Sequence, residues 1–139
     1  AMLLGLPYGL GGYGLPEPRL NYRVDVPPSF RAMADRKHCV CDLCWPESKL
    51  AAEYDSELHH VDPERRESDA RRRSTLITLG FTVVTVSKGQ VMDSGAFNRL
   101  AHQLAKRLGK RLRYVDPGYT RAHLELRAEL FEAIGIRER

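Results

Sequence analysis

At 139 residues the chain has the length of one ordinary domain, enough to bury a core and too short for two independent ones. Its 42% hydrophobic and 29% charged residues exclude an intrinsically disordered chain. A net charge of +4 and a pI near 9.1 are compatible with a polyanionic partner without requiring one.

The three cysteines, Cys39, Cys41 and Cys44, are odd in number and fall within six residues, which argues against a secreted disulfide framework and for a reducing, cytoplasmic setting. No apolar run approaches the roughly 20 residues of a membrane span, so no membrane partner is expected. The opening MLLGLPYGL lacks the charged flank and the length of a signal peptide. Residues 1–19 are rich in Gly and Pro and read as a piece of a preceding region, with room for a further N-terminal domain.

In chain order, residues 20–26 alternate Leu20, Tyr22, Val24 and Val26 with polar neighbours, which predicts a half-buried strand ended by Pro27 and Pro28. Residues 29–37 are polar and charged. Two β-rich runs follow, HCVCDLCW and KLAAEYD, separated by Pro46-Glu47-Ser48, and predict an antiparallel pair. Asp62 as cap, Pro63 in the first turn and Gly80 beyond the end predict a helix over 63–79.

FTVVTV has the β-branched content of a buried strand. Helical spacing resumes near Asp93 or Ser94 with Phe97, Leu100, Leu104 and Leu108. A last helix over about 120–134 would bury Leu124, Leu126, Leu130 and Phe131. The pattern is α/β, with about four strands in one mixed sheet flanked by helices and a right-handed crossover through helix 63–79. The expected organisation is a core over 20–116 and a C-terminal helix over 117–139.

Carboxylates are depleted in strands, because a half-buried pleated face offers them nothing unless negative charge is wanted there. Asp42 lies inside VCDLCW, and Glu53 and Asp55, two apart in LAAEYD, share one face of their strand. If the two strands pair through the Pro46 turn, Asp42 comes level with Glu53 or Asp55. Such a cluster repels itself unless a hard cation, Mg²⁺ or Mn²⁺, takes oxygens from Asp42, Glu53 and Asp55. The bland alternative is a set of solvent-facing acids paired with Arg or Lys. His59 and His60 follow within five residues, and an imidazole beside such a site can carry protons.

The segments CDLCWPESKLAAEYDSELHH and ESDARRRSTLITLGFTVVTV resemble the very-short-patch-repair type of endonuclease and its relatives in the PD-(D/E)XK nuclease superfamily, over about a third of the chain. The resemblance implies a restriction-endonuclease-like core. It implies catalytic roles for Asp42, Asp55 and His60, with Glu53 at the acidic position of the superfamily signature. Asp55 stands where that signature carries lysine, and Ser56 where glycine is usual. The family's glutamate on a preceding helix has no equivalent, since Glu17 sits in a Pro-flanked loop.

The helix pattern of the family falls on Glu67, Asp69, Arg71, Arg72, Leu79, Gly80 and Phe81. Arg71 and Arg72 are the candidate phosphate contacts, with Asp69 and His59 in supporting positions. Arg72 stands three residues from Asp69, a spacing that also allows a surface ion pair. Further basic clusters, Arg65, Arg66 and Arg73 and the later Lys106, Arg107, Lys110, Arg111 and Arg113, read as solvated faces or as phosphate contacts.

Alternation would place Cys39 and Cys41 on the face opposite Asp42 and Cys44, which favours small buried thiols over a zinc site. Trp45, Tyr54 and Phe81 read as core residues. The expected function is a Mg²⁺-dependent DNA endonuclease or nickase, with DNA as partner and room for a homodimer. The rivals are a catalytically inactive DNA-binding or regulatory module, antitoxin-like in character, and a purely structural domain.

Overall fold

The polar–apolar alternation of RLNYRVD forms strand β1 (Arg19–Asp25), and HCVCDLCW forms β2 (His38–Trp45) in a computed structural model that describes residues 2–6, 12–34, 36–55, 63–110, 112 and 119–133. Strand β3 (Leu50–Asp55) follows a 3-10 turn at Pro46–Ser48, and β4 is Thr82–Ser87. One mixed sheet results, in the order β1-β2-β3-β4. The first two pairings are antiparallel and β3–β4 is parallel. A turn this short can only join antiparallel neighbours, whereas a parallel pair needs a crossover, here helix α3 (Pro63–Thr78). The α/β class and the four-stranded mixed sheet flanked by helices are thus as the sequence predicts.

Helix α3 ends for a local reason. Gly80 adopts φ +93 and donates to the Ile77 carbonyl at 3.0 Å, while Phe81 donates to the Leu76 carbonyl at 3.0 Å. This pair of bonds closes the last turn around a left-handed glycine and sets Phe81 beside Leu76. Thr82 then donates to the Lys49 carbonyl at 2.8 Å, which starts β4 at the hairpin.

The chain divides into two compact units, Arg19–Lys88 and Ala1–Pro18 with Gly89–Arg139. In the first, Val26, Ala34, Cys39, Cys41, Cys44, Ala51 and Leu76 form a core, with Tyr22, Val24, Phe81 and Val83 packed against it. Small Ala and Cys side chains line the sheet there, and α3 contributes Leu76 from its C-terminal half. Only Thr75 and Leu76 of α3 are buried, so its earlier, arginine-rich turns project polar side chains.

All three cysteines share this core, contrary to the alternation expected of β2. The register of β1 on β2 is constant, with no bridge at Asn21, which adopts φ 47. Cys44 is buried with Cys41, and the two thiols share a side-chain hydrogen bond.

A 3-10 turn at Pro28–Phe30 and a short helix α2 (Arg31–Ala34) occupy the polar segment that follows β1. In the second unit, α1 is Met2–Gly5, α5 is Ser94–Arg107 and α6 is Tyr119–Ala133; α4 (Lys88–Met92) begins at the division between the two. Asp93 caps α5 by accepting from the Gly95 N–H at 3.0 Å. Helix α5 buries Phe97, Leu100, Ala101, Leu104 and Ala105, much as its periodicity predicts.

Helix α6 bears out part of the sequence reading and corrects part: Phe131 is buried and Leu126 and Leu130 are half-buried, but Leu124 is 49% exposed, and His123 and Arg127 are buried. Arg127 is tolerated inside because its guanidinium lies over the Phe131 ring at 4.7 Å and the Phe97 ring at 5.4 Å and donates to the Val91 carbonyl. Tyr13 closes the same cluster, edge-on to His123 at 5.2 Å and hydrogen-bonded to Asn98 at 3.1 Å. Among the described residues no helix is long and apolar enough to cross a membrane.

Candidate active site

Backbone pairing between β2 and β3 runs from Trp45–Leu50 to Leu43–Ala52, which leaves Asp42 and Glu53 at the next step, where the ladder is not continued. There the Tyr54 N–H donates to Asp42 Oδ2 at 2.9 Å. A side chain thus takes a donor that a neighbouring strand would otherwise use, and the Asp42 carboxylate is held beside Glu53.

Glu53 is 5% exposed, an unusual state for a carboxylate. Burial pushes its carboxyl up from 4.5 to about 7. The Arg72 guanidinium opposes that rise and the Asp42 charge adds to it. Arg72, reaching from α3, lies 3.4 Å from Glu53 Oε2. Glu53 Oε1 is buried with no hydrogen-bond partner among the described residues.

Arg72 also lies 3.5 Å from Asp69 Oδ1 on its own helix, the ion pair that the three-residue spacing allows. Arg71 pairs instead with Glu67 at 3.3 Å, along the exposed helix surface. Asp55 is half-buried on β3, on the face of Glu53 by strand alternation and opposite Ser87 of β4. It does not complete a cation cage: among the described residues no three His, Cys, Asp or Glu side chains are grouped to hold a metal. His59, His60 and the Asp62 cap lie outside the described residues.

The donor set nevertheless fits a hard divalent cation. Mg²⁺ is commonly held by one or two carboxylates and completed by water and substrate phosphate, so Asp42 and Glu53 are enough protein ligands. Two acids side by side, one of them buried, are what such an ion would relieve.

The cysteines offer no competing site. They are free and buried, and burial raises each thiol, Cys41 to about 12. Trp45 is buried and Phe81 half-buried, as expected of core residues, but Tyr54 is 46% exposed, since alternation turns it to the face opposite Glu53.

One contact beside the site had no sequence signal. Arg36, in the polar segment after α2, donates to Ser68 Oγ on α3 at 3.0 Å. Nothing in the local pattern distinguishes this arginine from its neighbours.

No family model and no solved structure matches the chain. Two uncharacterised proteins of Mycobacterium tuberculosis, one from strain CDC 1551 / Oshkosh and one from strain ATCC 25618 / H37Rv, are each 31% identical to it over 98 residues, or 70% of its length. The chain spans about a third of those relatives, 33% of each.

Proposed function

We propose that this chain carries the restriction-endonuclease-like core of a metal-dependent DNA endonuclease or nickase. The observation that carries the reading is the placement of Asp42 beside a buried Glu53, one of whose oxygens has no hydrogen-bond partner among the described residues, at the point where β2 and β3 stop pairing. Asp42 and Glu53 would hold Mg²⁺ or Mn²⁺, with Asp55 at the rim of the same face. A bound divalent cation supplies an activated water and offsets charge on the phosphodiester.

The protein's own groups have separate tasks. The Tyr54 N–H orients Asp42, which spares the carboxylate a search for its geometry. Arg72, shared between Glu53 and Asp69, is placed to turn to an incoming phosphate once a cation neutralises Glu53. His60, assigned through the family resemblance, would move the proton between attacking water and departing oxygen. Arg71 would be a further phosphate contact, with His59 and Asp69 in support.

Plasmid nicking with Mg²⁺ and Mn²⁺ tests the reading, with Asp42→Asn, Asp55→Ala and His60→Ala as controls. Metal-dependent conversion of supercoiled to nicked DNA, lost in Asp42→Asn, is the expected result.

One observation favours a second reading, a DNA-binding or regulatory module that keeps the fold without turnover: Arg72 already occupies Glu53, and no third ligand is grouped with the acid pair among the described residues. DNA binding with no cleavage under any metal would select it.

A further inference from the structure

Helix α3 presents three side chains in a single row at successive i, i+4 positions, Ser68, Arg72 and Leu76. Each meets something different in the same unit. Leu76 enters the core, Arg72 reaches Glu53, and Ser68 receives Arg36. Arg36 and Arg72 are thus both tied to α3, Arg72 as its own residue and Arg36 through Ser68 one turn earlier.

Four residues of helix separate the two anchor points, a rise of about 6 Å. That is of the order of the separation of neighbouring phosphates on one nucleic-acid strand, which carries one charge for roughly every 3.4 Å of axial rise and winds around the axis as it climbs. Arg36 is half-buried and uses one of its five N–H donors on Ser68, which leaves a fork of donors on a stem whose direction is already set.

We propose that Arg36, oriented by Ser68, is a second phosphate contact that holds the phosphodiester next to the one at Arg72 and so sets the register of a DNA strand across the acid pair. The role rests on the nuclease reading above and extends it to the substrate: a continuous phosphodiester strand is gripped at two neighbouring phosphates. A mononucleotide or inorganic phosphate would fill only one of the two places.

The test is the salt dependence of binding of the full chain to a short defined DNA duplex, with Ca²⁺ at a fixed concentration in place of Mg²⁺ or Mn²⁺ so that the acid pair is neutralised. Arg36→Gln removes the charge, and Arg36→Lys restores it without the fork. Loss of one phosphate contact lowers the slope of log K against log[salt] by about 0.9. Arg36→Gln is expected to show that drop, with equal weakening on unrelated sequences, and Arg36→Lys to recover the slope. Arg73→Ala, on a neighbouring exposed position of α3, sets the baseline for a generic surface arginine. The same slope for wild type and Arg36→Gln, or a drop no larger than that of Arg73→Ala, overturns the assignment and leaves the nuclease reading intact. A wild-type chain that neither binds nor nicks DNA removes both.

Discussion

The backbone N–H of Tyr54 donates to Asp42 Oδ2 at 2.9 Å, so a carboxylate on β2 closes the gap where β2 and β3 part. That bond fixes one acid of the site by main-chain geometry. The second, Glu53, is fixed by burial and by Arg72. Two acids held by unrelated means in one place are a costly arrangement without a cation, and its consequences are measurable.

The first concerns pH. The Glu53 carboxyl rises from 4.5 to about 7 on folding, so between these values the folded protein keeps a proton that the unfolded chain has released. In metal-free protein this group's contribution to stability therefore falls as pH rises through that window, by at most about 3 kcal/mol, and the loss is complete above it. Glu53→Gln should flatten the dependence. Urea unfolding at pH 5 and pH 8 measures it, and parallel slopes for wild type and variant would rule the assignment out.

Removing the neighbouring cation should act the other way. Arg72→Ala leaves a buried carboxyl without its counter-charge and pushes it further above its usual range. The variant should lose about 1–3 kcal/mol at pH 8 and less at pH 5, where Glu53 is already protonated. In a Glu53→Gln background most of that pH 8 loss should vanish, which a double-mutant cycle reads directly.

Metal binding should reverse the alkaline loss. Mn²⁺ or Mg²⁺ at about a hundred times its dissociation constant stabilises the fold by about 2.7 kcal/mol. The accompanying rise in melting temperature should be larger at pH 8 than at pH 5, because a proton on Glu53 competes with the ion. Asp42→Asn and Glu53→Gln should each abolish most of it. A rise that survives both substitutions places the ion elsewhere.

The two units also predict contrasting effects of leucine truncation. Leu76→Ala opens a cavity beneath α3 and should destabilise by about 2–5 kcal/mol. Leu124→Ala, on the exposed side of α6, should change stability by no more than about 0.5 kcal/mol. Denaturant midpoints decide both, and a large loss at Leu124 would mean that this side of α6 is covered.

Local chemistry alone specified the elements. Strand alternation, the Pro46 turn, Pro63 in the first turn of α3, the left-handed Gly80 and the Asp93 cap all act within a few residues, so β1 to β4, α3 and α5 were legible before any contact was known. The nearness of Asp42 to Glu53 was legible too, because a short turn leaves the pairing of adjacent strands little freedom. Contacts between distant segments were not. The burial of Cys44 together with Cys39 and Cys41, the Arg36–Ser68 bond and the lack, among the described residues, of a three-ligand group around Asp55 depend on how separate elements meet. Helix α6 shows the reason most directly: hydropathy ranks Leu124 above Arg127 for burial, and only the facing rings of Phe97 and Phe131, supplied from two places in the chain, reverse that order.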